Sequence, residues 1–424
     1  MRRALGVWRV SLSGIGVILG AGVYALIGPA AAQAGRALWL AFVVAGATAA
    51  LTAYAYARLG VMRPRASAEF QYTALAFGPG TGFVAGWLML IADLAAAATV
   101  ALGFGGYLTH LVGTPAPLNA LGLLAAMIVV IAIGVGESVS VAVVLTIVEA
   151  AGLLFIVAVG LPGWTGTDYR PAPGALHGVP GAASLIFFAY LGFDELGNFA
   201  EEMRRPERDL PRALAVSMVV TTAIYIAVAL SAIAVVPPER LAASPAPLAL
   251  VAGGVLGSWA DLMIAVMALA ATANTVLLLL LSASRAAYGM AVAGVLPAVL
   301  SRVSRTQVPA AATALVIAVV AALVAVTDLG RAAHVTDAAV LLSFVLVNAS
   351  LVWLAARRRT SGGAWRRCAD LGLGATAVAS CAGLVAFTGW AALAGVAAMM
   401  LAGVLAQPST WSAARRLLRG EGRV

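Results

Sequence analysis

The sequence predicts an all-α integral membrane protein with twelve transmembrane helices. Hydrophobic residues make up 62% of the 424 residues and charged residues only 10%, and the mean hydropathy is +1.01. A soluble globular protein is about one quarter charged. Apolar runs of the roughly 20 residues that cross a hydrocarbon core recur along the whole chain. The arginines between these runs are distributed as they are in multi-pass membrane proteins.

Each predicted helix is a mostly apolar stretch, separated from the next by charged or turn-forming residues. The first stretch is too long for a cleaved secretory signal and leads into further spans. No segment has the composition of a soluble domain, so residues 1–424 are predicted to form a single transmembrane domain. The predicted spans lie near 8–33, 38–60, 80–109, 117–135, 139–161, 181–202, 212–236, 258–283, 309–327, 336–356, 370–387 and 389–406.

The net charge of +9 is a topology signal. All 26 basic residues are arginine, and with the N-terminus inside only Arg36, Arg170, Arg240 and Arg331 fall outside. Multi-pass proteins carry such an excess of basic residues in their cytoplasmic loops. The distribution predicts a protein of the cell membrane, surrounded by the lipid bilayer, with both termini in the cytoplasm. It does not indicate a nucleic-acid partner.

Catalytic and metal-binding patterns are absent from the sequence. Cys368 and Cys381 have neither a disulfide framework nor metal-ligand spacing, and the three histidines are scattered. The spans contain no nucleophile–base constellation, and the chain lacks the glycine-rich, lysine-containing motif of nucleotide-driven pumps. The spans are also too apolar to supply the polar rings of an ion channel. The sequence therefore predicts a protein that is not an enzyme and binds no cofactor or metal.

Two of the predicted spans contain residues that a continuous transmembrane helix avoids. The first span contains Gly-Ala-Gly at 20–22, and the sixth contains Gly-Phe-Asp-Glu at 192–195. Interrupted backbone at membrane depth occurs only where it is buried in protein or lines a cavity. Two interruptions in corresponding positions of two halves indicate the substrate site of a secondary transporter. An alternative for the first span is a Gly-x-x-x-Gly packing face at 16–20.

The order of the spans predicts an internal repeat. Spans one to five (8–161) and spans six to ten (181–356) have opposite orientations, because an odd number of helices separates equivalent members. Inverted repeats of this kind are common in secondary transporters. The last two spans (370–406) follow an arginine cluster at 357–367 and are predicted to be accessory helices.

Four segments resemble motifs of a known family. They are GIGVILGAGVY at 14–24, FGPGTGFVAGW at 77–87, FFAYLGFDELGNFAEEMRRPERDLPRAL at 187–214, and SRAAYGM at 284–290 leading to GVLP at 294–297. In this order, over nearly the whole chain, they are similar to the amino acid–polyamine–organocation (APC) superfamily of permeases. The resemblance implies a LeuT-type five-plus-five fold with broken helices one and six. It also implies an amino acid permease that works by alternating access.

The resemblance further implies a substrate site at the two breaks. The substrate carboxylate would meet the amides of Ala21 and Gly22, because the N-terminus of a half-helix favours an anion. The substrate ammonium would meet carbonyl groups freed at both breaks, since a charge in a dry cavity must be paired. The ring of Phe188 would form a gate over the substrate. The implied substrate-binding residues are Ile18, Gly20, Ala21, Gly22, Phe188, Ala189, Leu191 and Phe193, with the carbonyls of Ile18, Phe188 and Leu191 facing the ammonium.

The pocket segments predict a neutral amino acid as the substrate, because they are rich in alanine, valine, leucine and phenylalanine. The acidic residues Asp93 and Glu195 keep a cationic amino acid or a polyamine as the alternative. Exchange and uniport stay open beside symport.

Three acidic residues are candidates for coupling transport to an ion: Glu149 in span five, and Asp194 and Glu195 after the second break. Charged groups within spans are rare and are usually functional or paired. Among apolar helices the charged form of Glu149 is disfavoured, which predicts coupling to a proton in preference to sodium. The alternatives are that Glu149 only makes an interhelical hydrogen bond or helps to bind sodium, and that Glu195 pairs locally.

Overall fold

The computed structural model describes residues 6–63, 67–133, 139–171, 175–198, 203–292, 296–302, 309–360 and 363–405. The described part of the chain is a bundle of seventeen α-helices. They are α1 (Val7–Ile18), α2 (Gly22–Ala34), α3 (Leu38–Met62), α4 (Ala68–Phe77), α5 (Pro79–Val112), α6 (Ala116–Ile133), α7 (Val139–Gly160), α8 (Val179–Ile186), α9 (Glu195–Asn198), α10 (Pro206–Val235), α11 (Pro238–Ala243), α12 (Pro247–Leu256), α13 (Ser258–Val292), α14 (Ala310–Val326), α15 (Leu329–Ala356), α16 (Ala364–Val385) and α17 (Trp390–Leu405).

Eight helical segments of the described chain are long and apolar enough to cross a membrane, judged by length and composition. They are Gly22–Met62, Pro79–Val112, Val144–Gly166, Leu176–Gly197, Pro206–Val235, Ser258–Val292, Leu329–Ala356 and Ala364–Val385. Five shorter apolar helices accompany them. The predicted all-helical membrane architecture is therefore confirmed, whereas the count of twelve spans stays a prediction. The termini, at 1–5 and 406–424, lie outside the described residues, so their predicted cytoplasmic location is not described.

Three short helices occupy segments that the sequence analysis treated as loops. The helix α4 precedes α5, and the two are separated by Gly78, whose φ of 95° lies in the region that favours glycine. Pro79 then begins α5, at a helix position where its missing amide hydrogen costs nothing. The helices α11 and α12 lie between α10 and α13. We call the side of the bundle that carries α11 and α12 the outer side.

The outer half of the first span is covered by α11 and α12. A Cβ atom placed on Gly28 of α2 would lie 2.8 Å from the carbonyl oxygen of Leu241 in α11. Ala246 and Leu248, at the start of α12, are fully buried. Because the backbones approach this closely only at a glycine, α2 is packed tightly beneath this outer cover.

The helix α16 is anchored to α3 by a partly buried ion pair. The Arg58 guanidinium of α3 donates through Nε to Asp370 Oδ1 at 2.7 Å and through Nη2 to Asp370 Oδ2 at 2.9 Å. The Tyr54 hydroxyl donates to Asp370 Oδ1 at 2.8 Å. Two parallel bonds from one guanidinium fix both the distance and the orientation of the two helices.

Candidate functional site

The first predicted span is interrupted where the sequence analysis placed the break. The helix α1 ends at Ile18 and α2 begins at Gly22, with a turn over residues 19–21. The Leu19 amide still bonds to the Ile15 carbonyl at 2.8 Å, so α1 closes normally before the chain turns. The first amides of α2 have no acceptor within their own helix, as at the start of any α-helix. The break therefore offers amide donors at the positive end of a helix dipole.

The sixth predicted span is interrupted over a longer stretch. After α8 ends at Ile186, a 3-10 turn occupies Phe187–Tyr190, and Leu191 is extended with ψ at 147°. Gly192 follows with φ at 111°, a backbone conformation that favours glycine. The Asp194 carboxylate accepts a hydrogen bond from the Gly192 amide at 2.9 Å before α9 begins. Asp194 therefore stabilises the break itself.

The two breaks pack directly against each other. A Cβ atom placed on Gly22 would lie 2.7 Å from the Cα atom of Ala189 and 3.1 Å from the Phe188 ring. A Cβ atom placed on Gly192 would lie 2.7 Å from Cγ1 of Val17 and 3.2 Å from the Val17 carbonyl oxygen. Distances below 3 Å leave no room for a methyl group, so glycine is required at both positions by the contact between the breaks.

A tyrosine that the sequence analysis did not identify bridges the two breaks. The buried Tyr225 hydroxyl of α10 hydrogen-bonds to the Ile18 carbonyl oxygen, and it lies 2.9 Å from the Ala189 carbonyl oxygen. The sequence contains one signal that could have identified Tyr225: a tyrosine in an apolar span needs a hydrogen-bond partner for its hydroxyl. The Ile18 carbonyl, predicted to face the substrate ammonium, already accepts one bond and retains one lone pair.

Gly20 is less tightly packed than its neighbours at the first break. A Cβ atom placed there would be 3.4 Å from the Val17 carbonyl oxygen and 3.6 Å from the Thr275 hydroxyl of α13, which are ordinary contact distances. Ala21 and Gly22, by contrast, are fully packed. Thr275 was not identified from the sequence, because a threonine in an apolar helix gives no sign of which helix it faces.

The remaining predicted site residues fall into two groups. Phe188 and Ala189 lie against Gly22 and are buried, and Leu191 is half-buried beside them in sequence. Phe193 instead places its ring in an aromatic cluster, with ring centroids 5.7 Å from Tyr56 and 5.3 Å from Phe344. The structure thus brings most of the predicted residues together and directs the Phe193 ring toward α3 and α15.

Four carboxylates gather next to the second break. Asp93 of α5 accepts a bond from the Ser282 hydroxyl of α13 at 3.3 Å and interacts electrostatically with Asp194, Glu195 and Glu69. Glu69 of α4 also accepts a short bond, 2.6 Å, from the Tyr56 hydroxyl. Glu195 is exposed to solvent, and Asp194 is buried. We refer to Glu69, Asp93, Asp194 and Glu195 as the acidic group.

Glu149 lies on the opposite side of the first break, on α7. Its side chain is 2% exposed, and its Oε1 atom has no hydrogen-bond partner within the described residues. The Tyr24 hydroxyl of α2 donates to the Glu149 backbone carbonyl at 2.8 Å. One turn earlier, Thr146 packs against Gly16 of α1. Glu149 is therefore buried where α7 meets both halves of the first span.

The described residues contain no group of three or more histidine, cysteine, aspartate or glutamate side chains that could hold a metal ion. Within the acidic group, Glu69 and Asp93 accept hydrogen bonds from hydroxyls, and Asp194 accepts one from a backbone amide.

The helical bundle, its apolar spans and its paired breaks define a class: a multi-pass membrane protein of the kind that carries solutes. The chain belongs to the amino acid permease family, because the sequence model of that family, described as "Amino acid permease", matches residues 5–414. The family resemblance inferred from the four motifs is thereby confirmed.

Similar proteins occur in bacteria and plants. An uncharacterized transporter of Mycobacterium tuberculosis (strain ATCC 25618 / H37Rv) is 32% identical over 363 residues, 84% of this chain and 81% of that protein. The vacuolar cationic amino acid transporter 4 of Arabidopsis thaliana is 30% identical over 361 residues, 79% and 60% of the two chains. The branched-chain amino acid permease BcaP of Bacillus subtilis (strain 168) is 28% identical over 377 residues, 84% and 81% of the two chains. A transport function is supported, and no enzyme is among these three relatives.

Proposed function

We propose that the protein is a secondary active transporter that moves amino acids across the cell membrane by alternating access. The observation that carries the proposal is the contact between the two breaks, where Gly22 meets Ala189 and Gly192 meets Val17. Two interrupted helices that touch at membrane depth create a site whose polar backbone groups can be exposed to either side by a movement of the surrounding helices.

The proposed architecture is a LeuT-type fold of twelve spans, with inverted repeats at about 8–161 and 181–356 and accessory helices at about 370–406. In this arrangement α1 with α2, and α8 with α9, are the broken first helices of the two repeats. Their equivalent positions at the start of each half support this interpretation. The anchoring of α16 to α3 through Asp370 and Arg58 agrees with a separate accessory pair.

The substrate is proposed to bind in the space beside Gly20. Its carboxylate would face the amides of Ala21 and Gly22 at the start of α2, where the helix dipole favours an anion. Its ammonium would face the second lone pair of the Ile18 carbonyl and the carbonyls of the second break. Phe188, packed on Gly22, would cover the site from the outer side.

A neutral amino acid is the first candidate substrate, because alanine and aromatic side chains line the breaks. The acidic group favours a second candidate, a cationic amino acid, since four carboxylates near one break would attract a second positive charge. The Arabidopsis relative is named a cationic amino acid transporter, and the Bacillus relative a branched-chain permease. The experiment therefore compares neutral with cationic substrates.

The coupling ion is proposed to be a proton bound by Glu149. A buried carboxyl group without a counter-ion is far more stable in its neutral form. Within the described residues, the Glu149 Oε1 atom has no hydrogen-bond partner, and Glu149 lies against both halves of the first span. Protonation of Glu149 could therefore change as the break opens and closes.

The test is transport by purified protein in liposomes, with a substrate panel and controlled gradients. Counterflow of labelled alanine, leucine or phenylalanine, in preference to arginine, lysine or putrescine, would support the neutral assignment. The reverse preference, reduced at least tenfold by Asp93→Asn, would establish the cationic one. Flux that does not saturate and shows no counterflow would overturn the carrier proposal. Accumulation driven by sodium and not by a pH gradient would overturn proton coupling.

A further inference from the structure

A further buried acid lies on α15, outside the site described above. Asp337 is fully buried, and neither of its carboxylate oxygens has a hydrogen-bond partner in the part of the chain that the structure describes. The neighbouring Thr336 hydroxyl is occupied, because it donates to the Ala332 carbonyl at 3.1 Å. The function proposed above assigns no role to Asp337.

Among the residues that the structure describes, none supplies a compensating charge to Asp337. The ionisable residues on the elements packed against α15 are Asp93, Tyr107 and His110 of α5, Glu69 and Tyr72 of α4, Tyr54, Tyr56 and Arg58 of α3, Tyr190 of the 3-10 turn, and Arg366, Arg367, Cys368, Asp370 and Cys381 of α16. Within the described residues, none of these groups has a significant electrostatic interaction with Asp337. Burial alone determines which charge state of its carboxyl group is favoured. An ionised carboxylate in this position would be both unpaired and unsolvated, so Asp337 is neutral in this conformation.

A polar residue, His334, lies one helical turn from Asp337, nearer the start of α15. His334 is half-buried, its Nδ1 atom has no hydrogen-bond partner among the described residues, and it interacts with exposed Asp328 at the helix start. At 1.5 Å per residue, Asp337 lies about 4.5 Å below His334 along the helix axis and about 9 Å below exposed Arg331. Along the helix, His334 thus lies between exposed Arg331 and buried Asp337.

In the other direction, α15 leads to the second break. Phe344 lies two helical turns below Asp337, and its ring centroid is 6.0 Å from that of Phe187 and 5.3 Å from that of Phe193. Between Asp328 and Phe344, α15 is continuously buried from Thr336 to Leu341, and its small buried residues include Ala333, Ala338 and Ala339. A charge on Asp337 would be unfavourable within this packed segment, because an ionised carboxylate needs a polar partner or water.

We propose that Asp337 is a proton-binding residue whose protonation permits the closed packing of the outer half of α15, and that His334 carries the proton between Asp337 and outer water. A carboxyl group in water ionises well below neutral pH. Any opening that brings water to Asp337 therefore releases a proton through the His334 imidazole, and closing takes one up. Raising the pH then disfavours the closed state. The proposal rests on the transport function proposed above, but not on which ion drives it.

The first measurement is infrared spectroscopy of the purified full-length protein. Subtracting the Asp337→Asn spectrum from that of the wild type at neutral pH should leave a carbonyl-stretch band of a protonated carboxyl group, since other buried acids such as Glu149 contribute equally to both. Asp328→Asn makes the same chemical change on an exposed residue of the same helix, and asparagine also serves as a helix N-cap, so it should retain the band. Transfer into heavy water should shift the band, and His334→Gln should slow this shift several-fold. An Asp337→Asn spectrum equal to that of the wild type, or a shift unaffected by His334→Gln, would overturn the proposal.

The second measurement is counterflow at equal pH on both sides of the liposome, which needs no driving gradient. Exchange by the wild type and by Asp328→Asn should slow as the pH rises, by up to about tenfold per pH unit for one titrating group. Asp337→Asn cannot ionise and should slow less. If the band is lost but the pH profile is unchanged, Asp337 is only structural and the proposal fails. If asparagine prevents folding, Asp337→Leu provides the neutral variant, since buried charges are often replaced by apolar residues without loss of stability. Absence of counterflow in the wild type would contradict the transport function, whereas the infrared result would still decide the state of Asp337.

Discussion

The Tyr225 hydroxyl donates a hydrogen bond to the carbonyl oxygen of Ile18, the residue at which α1 ends. The same hydroxyl lies 2.9 Å from the Ala189 carbonyl in the second break. A single side chain from α10 therefore contacts backbone carbonyls of both interruptions and donates its one hydrogen to that of Ile18. A third helix thereby holds the two breaks in register.

We expect Tyr225→Phe to weaken the association of the breaks while preserving the fold. The variant leaves the buried Ile18 carbonyl without its hydroxyl donor, a loss worth about 1–3 kcal/mol. Substrate counterflow should fall more than the unfolding temperature in detergent. The control is Tyr107→Phe, which removes a buried bond to the Tyr24 carbonyl away from the turns. Equal loss of transport in both variants would contradict a special role for Tyr225.

The two glycines of the first break should respond differently to alanine. Gly22→Ala places a methyl group 2.7 Å from the Ala189 Cα atom, so we expect the breaks to separate and both stability and transport to decrease. Gly20→Ala places its methyl group at ordinary contact distances from Val17 and Thr275, so the protein should fold normally, and a substrate bound beside Gly20 should bind more weakly. Thermal unfolding and substrate binding, measured on both variants, check this. Unchanged binding by folded Gly20→Ala would show that the substrate does not occupy this space.

The Glu149→Gln variant tests the proposed coupling. Glutamine preserves the shape of the side chain but cannot release a proton, so the variant should exchange substrate and fail to concentrate it. In the wild type, a pH gradient of one unit supports about tenfold accumulation for one proton per substrate. The variant should show none. Accumulation by Glu149→Gln equal to that of the wild type would remove Glu149 from the coupling mechanism.

Removing one partner of the ion pair between Arg58 and Asp370 should destabilise the protein more than removing both. Removing one partner by Arg58→Met leaves the buried Asp370 carboxylate without its counter-ion and with the neutral hydroxyls of Tyr54 and Thr360 as donors, and breaking a buried pair costs about 3–5 kcal/mol. The double variant Arg58→Met with Asp370→Leu removes both charges and should recover much of this loss. Thermal unfolding in detergent gives the comparison. A double variant as unstable as Arg58→Met would show that packing, rather than the unpaired charge, dominates.

Much of the site could be predicted because its signals are local in the sequence. The residues at 20–22 and 192–195 interrupt apolar runs, and the structure breaks both helices at these places. The orientation of the Phe193 side chain could not be predicted from the neighbouring sequence. It lies within the break, but the direction of its ring is set by Tyr56 and Phe344, 137 and 151 residues away in sequence (193 − 56 and 344 − 193).

The sequence by itself determined the membrane class, the helical architecture and the positions of the breaks, because hydropathy, arginine placement and glycine are properties of short segments. Only the tertiary structure decided which groups meet. The bond from Tyr225 to Ile18 joins residues 207 positions apart. Asp337 has no hydrogen-bond partner or opposite charge within the described residues, which depends on the side chains of every helix packed against α15. Such partnerships arise from the packing of whole helices against one another, which no single segment specifies.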